Sequence, residues 1–105
     1  VIDELERDLG MKMVAYIGNV THTKFVRAWQ CGERPPRGTR EQALRAALQA
    51  TRILIGTYSP NVARVWMFGA NHSLGVESPA HVLRTANTPA DCSAVVRAAW
   101  SFATK

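Results

Sequence analysis

The sequence predicts an all-α protein, and three observations carry that prediction. Cap residues stand directly before prolines at Ser59-Pro60, Ser78-Pro79 and Thr88-Pro89, where proline's missing N–H costs nothing at a first helical position. Apolar residues recur at spacings of three and four along most of the chain, as one face of a helix requires. No stretch alternates apolar and polar residues as a half-buried strand would.

Taken in order, Ile2, Leu5 and Leu9 share a helical face that stops at Gly10. A second short helix follows over Met11 to Gly18, with Met13, Val14 and Ile17 on one side. After a polar turn at Asn19 to His22, Phe25, Val26 and Trp29 form the apolar stripe of a third helix, which ends by Gly32. The segment from Glu33 to Gly38 holds two prolines and a glycine and reads as a loop.

Thr39, three residues before Gln42, reads as a capping box opening a longer helix toward Ile55. Leu44, Ala47, Leu48, Ile53 and Leu54 are expected to face inward, and Arg40, Arg45 and Arg52 outward. Helices over Ser59 to Phe68, Pro79 to Thr85 and Pro89 to Phe102 complete the chain. In the last of these, Asp91 lies three residues after Thr88, where the positive end of a helix dipole favours an acid.

A chain of 105 residues can bury a modest core without disulfides or metals. Its 47% hydrophobic and 20% charged residues exclude a disordered composition. The net charge of +5 is unevenly spread. Residues 12–64 hold nine Lys/Arg against two Asp/Glu, a net +7, whereas residues 1–11 hold one against four, a net −3. A concentrated basic region of this kind is what phosphate binding requires.

Cys31 and Cys92 are too far apart in sequence for a Cys-x-x-Cys motif, and the three histidines share no ligand spacing. No metal site and no cofactor is expected, and the thiols are expected to be buried or half-buried in a reducing cytoplasm. No apolar run approaches the ~20 residues that span a bilayer. No nucleophile–base pair or phosphate-cradling glycine loop is visible, so the chain is not expected to be an enzyme.

Two short helices joined by a tight polar turn, the second followed by Gly32-Glu33-Arg34-Pro35-Pro36, have the layout of a DNA-reading helix-turn-helix. A helix entering the major groove needs short polar and basic side chains on its first turn, here Thr21, His22, Thr23, Lys24 and Arg27. Arg34 and Arg37, in the loop beyond, are placed to grip phosphates and set register. Phe25, Val26 and Trp29 are expected to anchor the helix from behind.

The second half contains a bulky apolar run, Val65-Trp66-Met67-Phe68, ending at a Gly-Ala-Asn turn with little scaffold around it. That combination reads as a surface facing a partner. The run is followed by Asn71, Leu74, Gly75, Ser78-Pro79 and Val82-Leu83. Together with the helix-turn-helix and a linking helix, this order resembles antitoxins of the Xre/MbcA/ParS family, which pair with RES-domain toxins.

The resemblance spans nearly the whole chain and divides it into residues 1–56, a helix-turn-helix unit with its linking helix, and residues 57–105, a toxin-binding unit. It implies an all-α fold with an Xre-like bundle in front. It also implies a type II antitoxin that lays its final helix and tail over the active site of an NAD-consuming toxin. Repression of its own operon through the front half would follow. The residues expected to bind the toxin are Trp66, Met67, Phe68 and Asn71, with Trp100, Phe102, Thr104 and Lys105 from the last helix and tail. An alternative fits the same residues: a stand-alone regulator whose second half dimerises it on an operator.

Overall fold

Proline and glycine set most of the boundaries. The computed structural model describes residues 1–104, which form seven α-helices. Helix α1 (Ile2–Leu9) stops at Gly10, whose φ of 90° is readily available only to glycine. Helix α2 (Met11–Ile17) begins at once. Helix α3 (Thr23–Gln30) follows a five-residue turn and takes its cap from the His22 ring, whose Nδ1 accepts the Lys24 N–H at 3.2 Å.

The loop over 31–38 leads into the longest element, α4 (Thr39–Thr57). Then come α5 (Pro60–Phe68), a 3₁₀ turn (His72–Leu74), α6 (Pro79–Arg84) and α7 (Pro89–Ala103). Ser59, Ser78 and Thr88 cap α5, α6 and α7 as expected. At α7 the exchange is reciprocal: Thr88 Oγ1 accepts the Asp91 N–H and the Asp91 carboxylate accepts the Thr88 N–H.

The capping box expected at Thr39 is absent. Gly38 occupies the cap position with φ 60°, and Thr39 is already inside the helix, where its hydroxyl cannot reach back to the first amides.

Helix α4 is the axis of the core. Ala43, Leu44, Ala46, Ala47, Leu48, Ala50, Thr51 and Leu54 are all buried, so it is enclosed on more than one face. Alanines dominate its contact with α7, where Cys92, Val95, Ala98 and Ala99 are buried. Small side chains on both helices let the backbones approach closely. Leu5 and Leu9 of α1, Val14 and Ile17 of α2, Val26 of α3, Met67 of α5 and Leu83 of α6 complete one continuous cluster.

Segments far apart in sequence are also fastened directly. Arg52 makes two 2.6 Å bonds to the Glu4 carboxylate, which its guanidinium holds below the usual carboxylate range. Tyr16 on α2 stacks edge-on against Phe68 on α5, and its hydroxyl lies 3.2 Å from His81 Nδ1 on α6. Glu77 in turn pairs with His81 Nε2 at 3.4 Å.

Two expectations about burial need correction. Phe25 is not an anchor: it is 40% exposed, with the Lys24 ammonium over its ring, because Val26 and Trp29 already fill the inward face of α3. Cys31 is exposed in the loop after α3, while Cys92 is buried between α7 and α4 and its thiol is pushed up by burial.

Candidate functional site

Two surfaces collect the residues singled out in the sequence. The first is the cationic side of α2 and α3. Its geometry depends on a close contact: Trp29 lies so near Gly18 that a β-carbon there would stand 2.7 Å from Trp29 Cη2. The absent side chain lets the end of α2 and the body of α3 pack together with Val26 beneath. Thr21, His22 and Thr23, with Lys12 and Tyr16, line one shallow depression.

Thr21 and His22 are exposed and Thr23 is half-buried. His22 spends one ring nitrogen on the helix cap. Lys24 and Arg27, one turn apart on α3, are both exposed. Arg34 is exposed with a positive φ of 44°. Arg37 turns instead toward the end of α2 and the start of α4, where it shares a cavity with Arg40 and Arg84. The structure thus separates the seven residues into a turn group, a helix pair and two loop arginines.

The second surface is the edge formed by α5 and the end of α7. The run from Val65 to Phe68 does not face outward as a whole. Met67 is fully buried and Trp66 nearly so, because a helix with apolar residues in sequence must turn some of them inward. Val65, at 74% exposed, is the one that points to solvent. Phe68 is half-buried against Tyr16. Asn71 holds the turn after α5: its carboxamide oxygen accepts the Ser73 N–H at 2.9 Å, and its backbone bridges to Glu77.

The aromatic pair near the end of α7 also divides. Two positions on a helix stand about 200° apart, so Trp100 and Phe102 leave opposite sides. Trp100 is 57% exposed. Phe102 folds back against Tyr58 and Trp66, at ring-centroid distances of 5.5 and 6.4 Å. Beside it lies an open apolar cavity of about 400 Å³ lined by Asn61, Val62, Val65, Trp66 and Phe102. Thr104 uses its hydroxyl on the α7 terminus, donating to the Trp100 carbonyl at 2.9 Å. Lys105, also expected to bind the toxin, lies outside the described residues.

Sequence reasoning missed the convergence of Arg37, Arg40 and Arg84 on one cavity. Nothing in the local sequence of Arg40 or Arg84 tells which main-chain groups they meet, and nothing in the apolar run singles out Val65 as its exposed member. Among the described residues no group of three or more His, Cys, Asp or Glu side chains is placed to hold a metal ion, and no helix is long and apolar enough to cross a membrane. In comparisons with protein-family models, curated proteins and solved structures, nothing matches the chain.

Proposed function

We propose that this chain is the antitoxin of a type II toxin–antitoxin pair, neutralising a RES-domain, NAD-consuming toxin through the α5–α7 edge and binding operator DNA through α2 and α3. The observation that carries the reading is Trp100: a large aromatic side chain, 57% exposed, mounted near the end of a 15-residue helix that is itself locked into the core. A rigid aromatic anchor presented from a stable element is the usual centre of a binding hot spot. Across α7 from Trp100, Val65 and the apolar cavity beside Phe102 add a second exposed apolar area. The resemblance of the Trp66, Asn71, Leu74, Gly75, Ser78-Pro79 order to Xre/MbcA/ParS antitoxins supplies the class of partner.

The direct test adds the purified chain to a purified RES-domain toxin and follows NAD consumption. Inhibition with a stable one-to-one or higher complex is expected, and Trp100→Ala should weaken that complex by about 30-fold or more, or ~2 kcal/mol. NAD turnover unchanged at saturating chain would reject the antitoxin role. The regulator alternative rests on Val65, whose exposure on α5 would equally suit a self-associating face. Sedimentation of the isolated chain as a dimer that Val65→Asp dissolves would favour it.

A further inference from the structure

The cavity shared by Arg37, Arg40 and Arg84 lies apart from the toxin-binding edge, and of its three arginines only Arg37 is among the residues expected to contact DNA. It has a volume of about 340 Å³ and lies between the end of α2, the start of α4 and the segment after α6. Three arginines line it and no Asp or Glu does. Among the described residues none of the three arginines is paired with a carboxylate. The one carboxylate hydrogen-bonded to a lining residue is that of Asp91, which is already engaged by the N–H groups of Asn87 and Thr88.

Two of the arginines are held in place by main-chain acceptors. Arg40 Nη1 donates to the Gly18 carbonyl and Arg84 Nη1 to the Tyr16 carbonyl, each at 2.8 Å. Arg84 also lies over the Tyr16 ring at 4.6 Å. These bonds satisfy carbonyls at the end of α2, yet a guanidinium carries five donors, so most of the donors on both groups remain available. Arg37 makes no side-chain hydrogen bond among those of the described residues and is free to swing onto a ligand.

Clustered like charges repel unless an anion sits among them. Planar guanidinium forks match tetrahedral oxyanions in particular. The start of α4 has no side-chain cap, and Thr39 and Arg40, whose amides no intrahelical partner takes, are among the residues that line the same cavity.

We propose that this cavity is a phosphate-binding site in which Arg40 and Arg84 form a fixed cradle and Arg37 closes over the anion. The site joins the two halves of the chain, since Arg84 comes from α6 and the other two precede or open α4. Either a free phosphorylated ligand or a nucleic-acid backbone could supply the phosphate, and the site stands whether or not the chain binds a toxin.

The test is an NMR titration of the full chain with inorganic phosphate at constant ionic strength, with chloride as control. Saturable shifts are expected at the amides of Asn19, Thr39, Arg40 and Thr85, with no matching response to chloride. Arg37→Gln, which removes no bond within the fold, should weaken phosphate binding by about tenfold, the loss of one charged hydrogen bond. Arg84→Gln should do the same, with its melting temperature reporting any cost of losing the Tyr16 contact.

A short mixed-sequence duplex then separates the sources. Shifts at the same four amides, competed by phosphate, assign the site to a nucleic-acid backbone; phosphate binding that a duplex neither mimics nor displaces assigns it to a free ligand. Shifts that never saturate, that chloride reproduces, or that Arg37→Gln leaves unchanged would overturn the site.

Discussion

Trp29 rests its six-membered ring over the α-carbon of Gly18, so the angle between α2 and α3 is fixed by the absence of a single side chain. Gly18 has ordinary right-handed helical dihedrals, φ −74° and ψ −1°, which alanine adopts without strain. On backbone grounds alone Gly18→Ala would stabilise by about 0.4–1 kcal/mol. The 2.7 Å approach reverses the sign, because the ring is held and overpacking costs about 1–3 kcal/mol. Urea denaturation should show Gly18→Ala less stable than the native chain, and Gly18→Ala combined with Trp29→Leu should lose much less than the two single changes added together. Additive losses would mean that the two residues do not meet.

Trp100 and Phe102 should separate stability from binding. Phe102 packs on Tyr58 and Trp66, so Phe102→Ala is expected to lower unfolding free energy by about 1–3 kcal/mol. Trp100→Ala is expected to stay within about 0.5 kcal/mol of the native value, as exposed substitutions do. Equal losses for both would place Trp100 in the core and remove the anchor on which the antitoxin reading rests.

If α3 enters the major groove, Lys24→Ala and Arg27→Ala should each weaken operator binding and flatten its salt dependence. For a footprint that neutralises about four phosphates, the log–log slope against salt is about −3.6, and each variant should reduce its magnitude by about 0.9. Toxin affinity should not change. Native DNA affinity in both variants would exclude α3 as the reading helix.

The cap of α7 makes stability depend on pH in a definite direction. Hydrogen bonds from the Asn87 and Thr88 backbone hold the Asp91 carboxyl below its ordinary value. A carboxyl whose value is depressed by folding contributes stability fully above its unfolded value, and that contribution fades as pH falls through the folded one. Glu4, depressed by Arg52, acts in the same direction, so the comparison must isolate Asp91. Melting temperatures of the native chain and Asp91→Asn should differ most near neutrality and converge as pH drops below about 4. A gap independent of pH would mean that the charge on Asp91 contributes nothing.

The sequence by itself determined the all-helical fold, the order of the helices and nearly every boundary. Those features are local: a proline after Ser59, Ser78 or Thr88, or a glycine at position 10, acts within one turn of backbone. Thr39 failed as a cap for an equally local reason, since Gly38 took the position one residue earlier. Only the tertiary structure decided which side of each helix is visible. Met67 and Val65 are alike in the sequence and opposite in burial, and the aromatic pair Trp100 and Phe102 parts company because helical rotation meets a neighbour on one side and water on the other. The arginine cavity belongs to the same category: residues 37, 40 and 84 converge through the packing of α2, α4 and α6, a long-range arrangement that no spacing along the chain encodes.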